Sequence, residues 1–125
     1  MSAQKQRATI SKAAEGEGKF IRHAGGRDNY GHVILTIEPR KRGTGIDIRN
    51  ITSNNIPTKF INAVVDAIEE TLEVGIRNYG PIIDVTVRIV DGSSHQTDSN
   101  ELAFKLAAIA AVNAALEKAD PLPLD

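Results

Sequence analysis

Apolar side chains in the first half of the chain recur at every second residue, the period of a strand with one buried face. Val33, Leu35 and Ile37 fall on one face in this way, and the pattern returns after a turn at residues 39–45 that is rich in Lys and Arg. Strands are therefore predicted at residues 7–12, 19–23, 32–38 and 46–49, with a Glu-Gly-Glu-Gly turn at residues 15–18.

The period changes after Pro57, where apolar residues take helical spacing opposite a row of acidic ones. Pro57 suits the first turn of a helix and Gly75 the position just past its end, so a helix is predicted between them. Its apolar row is Phe60, Ile61, Val64, Val65, Ile68 and Leu72, and its acidic row is Asp66, Glu69, Glu70 and Glu73.

Alternation then predicts a strand at residues 82–90, with Ile83 on the same face as Val85, Val87 and Ile89. A last helix is predicted to start at Asp98, because Asp98 and Glu101 have the spacing of a capping box. Its many alanines favour the helix and allow close packing on a sheet. Its periodic positions are Leu102, Leu106, Ile109, Ala110, Asn113 and Leu116.

This order of elements predicts one α+β domain over residues 1–125, a two-layer sandwich with both helices on one face of a sheet. Residues 119–125 contain two prolines and are expected to form a tail or a linker towards a following domain.

Composition narrows the class of protein. The chain has no cysteine, which excludes a disulfide scaffold and thiolate metal sites, and no apolar run approaches the length of a membrane span. We therefore expect a cytoplasmic protein without a membrane partner. Residues 1–42 carry a net charge of +5 and residues 43–125 a net charge of −6. The basic half favours contact with a polyanion such as RNA.

The candidate chemistry lies in two loops, the first loop at residues 25–32 and the second loop at residues 91–99. His23, His32 and His95 lie in or beside these loops and offer a zinc site for a small metal-dependent enzyme, although their spacing is not that of a metal motif. Ser93, Ser94, His95 and Asp98 have the residue types of a catalytic triad, but a triad is rarely assembled from one short run.

The loops also fit an RNA-binding function. Neither is a P-loop, so this sequence contains no motif for GTP hydrolysis of that kind. Their glycine amides, the Arg27 guanidinium, the Tyr30 ring, His95 and several hydroxyls are groups that contact phosphates, 2′-hydroxyls and bases of RNA. Positive φ in a hairpin is the alternative reason for Gly25, Gly26 and Gly31.

The two loops resemble those of domain IV of bacterial elongation factor G. The first family pattern, Gly-Gly-x-Gly-Gln-Tyr-Gly-His-Val, is matched by Gly25, Gly26, Tyr30, Gly31, His32 and Val33. The second, which begins Gly-Ser-Tyr-His and continues into a helix, is matched by Gly92, Ser93, His95, Asp98, Ser99 and residues 101–108. Ile56-Pro57, Gly80-Pro81 and Asp84 also agree, and the resemblance covers residues 7–123.

The resemblance implies a β-β-β-α-β-α fold with a left-handed β-α-β crossover, like the second domain of ribosomal protein S five. It implies a non-catalytic, monomeric domain whose loops enter the decoding region of the small ribosomal subunit during tRNA–mRNA translocation. GTP and magnesium are then expected only in the GTPase domain of a parent factor, and no cofactor or metal in this chain. The RNA-contacting residues implied are Gly25, Gly26, Arg27, Asp28, Asn29, Tyr30, His32, Ser93, Ser94, His95 and Gln96.

Departures from the family pattern cluster in the same loops. Asp28 replaces glycine, Asn29 replaces glutamine and Ser94 replaces tyrosine, while Gln96 and Thr97 replace aspartate and valine. These changes favour a paralogue or divergent member over a typical housekeeping factor. The proline-containing end favours an excised domain, and a free-standing RNA-binding module remains the alternative.

Overall fold

The computed structural model describes residues 6–24, 27–95 and 99–124, and only the backbone of residues 23, 24, 27 and 28. Seven strands and two helices are present in these ranges. They are β1 (Gln6–Ile10), β2 (Ala14–Ala24), β3 (Arg27–Pro39), β4 (Ile46–Asn50), α1 (Thr58–Val74), β5 (Tyr79–Ile82), β6 (Val85–Ser93), α2 (Glu101–Lys118) and β7 (Pro121–Pro123). Within them, no helix is long and apolar enough to cross a membrane.

The strands form two sheets. The larger has the order β2-β3-β6-β4, antiparallel except for the parallel pair β4 and β6. The smaller has the order β5-β1-β7, with β1 parallel to β5 and antiparallel to β7. Helix α2 packs on β2, β3 and α1, and the chain between β4 and β6 passes through α1 and β5. The predicted α+β class is confirmed, with a second small sheet that the pattern did not reveal.

Glycines allow α2 to lie directly on β2. A Cβ atom at Gly16 would stand 1.9 Å from the Ala111 carbonyl oxygen, and one at Gly18 would stand 1.9 Å from that of Ala107. The predicted turn at residues 15–18 is therefore wrong, because these glycines are strand residues that make room for a helix backbone. Gly31 has the same role against Ala103, so its φ is not the reason for glycine there either.

The buried side of α2 is its alanine side. Ala103, Ala107, Ala111 and Ala115 are fully buried, whereas Leu102 is 64% exposed. The predicted close packing of alanines on a sheet is confirmed, but the periodic row that began at Leu102 does not mark the core face. In α1 the predicted apolar row does face the core, and its acidic row is exposed.

Two predicted boundaries were wrong for local reasons. The segment at residues 82–90 is split between two sheets, because Asp84 adopts a φ of 60° between β5 and β6 and turns the chain. Helix α2 begins at Glu101 with Asn100 as its N-cap, whose Oδ1 accepts a hydrogen bond of 2.8 Å from the Ala103 amide. Asparagine caps as well as aspartate does, so the spacing alone was ambiguous. Asp98 lies outside the described residues.

The end of the chain is not a free tail as far as Leu124. Residues 121–123 form β7 on β1, the Leu124 amide donates to the Arg7 carbonyl, and the Leu124 side chain is buried. The two prolines fit this short edge strand because it pairs on one side only. A linker role towards a following domain stays a prediction.

Candidate functional site

The two loops singled out in the sequence meet at one end of the larger sheet, which we call the tip. Strand β3 begins there after the first loop, and β6 ends there before the second. The backbone of Tyr30 forms a parallel bridge with Ser99, and the Asn100 side-chain amide donates to Asn29 Oδ1. The N-cap of α2 thus ties the second loop to the start of β3.

Tyr30 is the centre of the tip. Its side chain is buried, and its ring stacks on that of His95 with a centroid separation of 3.8 Å and an interplanar angle of 10°. The Lys19 ammonium lies 5.9 Å from the Tyr30 ring centroid, within range of a cation–π contact. His95 itself is exposed, so the stack places an imidazole at the surface on a fixed aromatic support.

A chain of hydrogen bonds continues from Tyr30 across three strands. The Tyr30 hydroxyl lies 2.6 Å from Ser93 Oγ, which lies 2.8 Å from His32 Nδ1, and His32 Nε2 lies 2.6 Å from Glu17 Oε2. A carboxylate only accepts, so Nε2 carries the proton that is donated to Glu17. In neutral His32, Nδ1 then accepts from the Ser93 hydroxyl, which in turn accepts from Tyr30.

This arrangement positions side chains and is poorly suited to hydrolysis. Ser93, His32 and Glu17 have the residue types of a catalytic triad, but serine meets Nδ1 and the carboxylate meets Nε2, the reverse of the usual arrangement. The Tyr30 hydroxyl also occupies the serine oxygen. The hydrogen bonds therefore fix the position of the Tyr30 ring and hence that of His95.

A second set of contacts orders the chain on either side of the tip. The His95 amide donates to Ser99 Oγ at 2.8 Å, and the Ser99 amide donates to the His95 carbonyl. The Asp91 carboxylate accepts from the Gly92 amide and from the Asn55 side chain, and these bonds lower its pKa. Beside the second loop lies an open cleft of about 350 Å³, bordered by Ser94, His95 and Phe60.

The structure brings most of the predicted residues together. Asn29, Tyr30, His32, Ser93 and His95 are linked by the contacts above, and Ser94 borders the cleft. Arg27 and Asp28 form the start of β3, opposite Ala24 and His23 of β2, with only their backbones described. Gly25, Gly26 and Gln96 lie outside the described residues.

The histidines do not form a metal site in the described part of the chain. Both ring nitrogens of His32 already have hydrogen-bond partners, and no group of three or more His, Asp or Glu side chains converges there. The side chain of His23 lies outside the described residues.

Four contributors were missed in the sequence. Glu17 and Lys19 were hidden because residues 15–18 were interpreted as a turn, although register places Lys19 opposite His32. Ser99 and Asn100 were missed because the capping box drew attention to Asp98. Continuing β2 through its glycines in alternation with β3 is the signal that would have found the first pair.

Comparison with known proteins agrees with this architecture. The family profile "Elongation factor G, domain IV" matches residues 5–120. The chain is 44% identical over 120 residues to an elongation factor G of Dehalococcoides mccartyi (strain ATCC BAA-2266 / KCTC 15142 / 195), covering 95% of this chain and 17% of that protein. It is 46% identical over 118 residues to that of Aquifex pyrophilus, with 94% and 17% covered.

A solved structure supports the same conclusion. A crystal structure of a Thermus thermophilus protein matches with a TM-score of 0.87 and 31% identity, covering 96% of this chain and 18% of that one. The chain thus spans about a sixth of the length of the two curated relatives it matches. With a matching profile over almost its whole length, the chain belongs to the elongation factor G domain IV family.

Proposed function

We propose that this chain is the ribosome-contacting domain of an elongation-factor-G-like translocase. Its tip enters the decoding region of the small ribosomal subunit and promotes movement of the tRNA–mRNA pair. The domain performs no catalysis, binds no cofactor and acts as a monomer in the cytoplasm. GTP and magnesium bind in the GTPase domain of the parent factor.

The observation that carries the proposal is the convergence of the two loops on Tyr30. One loop alone would be a connection between strands, but here the Tyr30–His95 stack and the Tyr30–Ser99 bridge join both into one surface. Ordering this surface before binding lowers the entropy cost of association. RNA is read by such groups through stacking and through contacts with phosphates and 2′-hydroxyls.

His95 is the residue through which the proposal is best tested. Its ring is exposed and is supported on one side by Tyr30, so it is available to RNA without being part of the core. In the full-length parent factor, His95→Ala is expected to slow translocation about tenfold, because one stacking contact with a base is worth about 1–3 kcal/mol. GTP hydrolysis, assayed in parallel, is expected to be unchanged.

The matched control is Lys12→Ala, an exposed side chain in the segment between β1 and β2, outside the tip. It is expected to leave both assays unchanged. Normal translocation with His95→Ala would refute the role assigned to His95. Loss of hydrolysis together with translocation would instead indicate a general defect of the factor.

A further inference from the structure

A second charged surface lies at the end of the larger sheet opposite the tip. We call residues 40–45, between β3 and β4, the basic turn; it contains Arg40, Lys41 and Arg42 in succession. From Tyr30 to Arg40 the chain advances ten residues along β3, about 33 Å at the usual rise of a strand. Lys41 and Arg42 are exposed, and Arg40 is half-buried.

The buried residue Asp84 anchors this turn to the core. Its carboxylate accepts hydrogen bonds of 2.9 Å from the Gly45 amide and 3.2 Å from the Gly43 amide. Its carbonyl accepts from the Arg40 amide at 2.8 Å and from the Thr9 hydroxyl at 3.3 Å. The bond from Gly45, followed by that from Gly43, lowers the pKa of Asp84 although burial acts in the opposite direction.

The turn is also closed by its own residues. The Arg40 guanidinium donates to the Thr44 carbonyl at 3.1 Å, and the Thr44 amide donates to the Lys41 carbonyl at 3.2 Å. Gly43 and Gly45 adopt φ of 84° and 79°, values that favour glycine. The turn therefore holds one conformation, in which Arg40 closes the loop while the next two cations extend from it.

The charges of Lys41 and Arg42 have no ion-pair partner within residues 6–24, 27–95 and 99–124, apart from the longer-range attraction between Arg42 and Asp84. The carboxylates on the adjoining strands are already engaged, because Glu38 pairs with Arg88 and Asp47 with Arg49. Two cations on a rigid turn are thus left for an external anion.

We propose that the basic turn is a second RNA-binding surface, in which Lys41 and Arg42 each contact a phosphate of the RNA backbone. The exposed residues 41–44 include no apolar side chain, whereas the core of a protein interface is built from aromatic and apolar groups. Phosphate contacts need only positioned cations and amides, and the fixed turn supplies both. The chain therefore contacts RNA at both ends of its larger sheet.

The test is a titration of the ¹⁵N-labelled 125-residue chain with a structured RNA hairpin, followed residue by residue through amide chemical shifts. The amides of Gly43, Thr44 and Gly45 are expected to shift on binding. In Lys41→Gln/Arg42→Gln these shifts are expected to disappear. The slope of log K against log salt concentration for this surface should fall by about 1.4–1.8, or about 0.7–0.9 for each phosphate contact.

The control variant Lys12→Gln/Arg77→Gln removes the same net charge from side chains already paired with Asp120 and Glu117. It is expected to leave the shifts at the basic turn unchanged. Absence of shifts at residues 43–45 at millimolar RNA would overturn the inference, as would equal shifts with a poly-glutamate peptide of the same charge. Shifts of Asn29 and Tyr30 report on the tip separately, so either surface can fail alone.

Discussion

Replacing Gly31 by alanine tests how the fold positions the tip. A Cβ atom there would lie 2.5 Å from both the carbonyl carbon and the oxygen of Ala103, and 2.7 Å from the Phe104 nitrogen. Carbon atoms in contact lie about 3.5–4.0 Å apart, so the first turn of α2 must retreat by about 1 Å. That movement loosens Phe104, which is fully buried and stacks on Phe60 at 4.9 Å.

Two effects of opposite sign decide the result. Overpacking of this kind costs about 1–3 kcal/mol, whereas removing a glycine from the unfolded chain stabilises by about 0.4–1 kcal/mol. We expect Gly31→Ala to lower the free energy of unfolding by about 0.5–2.5 kcal/mol. For a domain of this size the melting temperature should fall by about 2–10 °C, measured by circular dichroism.

The comparison variant is Gly43→Ala, where nothing lies within 4 Å of the added Cβ and only the positive φ opposes it. It should cost about 1–2 kcal/mol without affecting α2. Hydrogen exchange at the Ala103 amide, which donates to the Asn100 cap, should therefore accelerate in Gly31→Ala and not in Gly43→Ala. A melting temperature for Gly31→Ala equal to or above that of the parent chain would refute the reasoning.

Two further predictions concern hydrogen bonds. Ser93→Ala separates Tyr30 from His32, and is expected to destabilise the domain by about 1–3 kcal/mol because a part-buried donor and acceptor lose their partner; Ser94→Ala is the control, and equal urea midpoints for the two variants would contradict the role of Ser93. Asp84→Asn tests the lowered pKa: the stability contributed by this carboxylate is present above its ordinary pKa of 3.8 and is lost as pH falls through the lower folded value. Urea titrations between about pH 5 and 2 should show a smaller loss of stability for Asp84→Asn, and identical pH profiles would exclude the effect.

The parts of the fold that were predicted correctly are those in which hydrophobic period and burial coincide. Helix α1 is the clearest case, since Phe60, Val64, Ile68 and Leu72 form one buried row and Gly75 ends the helix with a φ of 83°. Strand β3 behaves in the same way, because Val33, Leu35 and Ile37 are fully buried. In both elements a single face decides the position, and that face is visible in the sequence.

The parts that were predicted wrongly depend on contacts between elements distant in sequence. Gly16 and Gly18 are ordinary turn residues in composition, and only the alanines of α2 against them show that they belong to a strand. The break at Asp84 depends on amides more than thirty residues away. Strand β7 exists because β1, at the other end of the chain, has a free edge for it.

The same distant contacts bear on the departures from the family pattern. Asn29 stands where the family pattern has glutamine, and its side-chain oxygen accepts a hydrogen bond from Asn100, the residue that caps α2. The shorter side chain is therefore part of the joint between the first loop and the helix, in addition to being a surface group. His95, by contrast, is exposed and rests on Tyr30. A change at position 29 consequently acts on RNA contact and on the position of α2 together, whereas a change at position 95 acts on the surface. An exchange of residues 26–30 and 94–97 for family-typical ones is expected to raise the translocation rate of a full-length factor. It separates the two effects only if the stability of each variant is measured beside its activity.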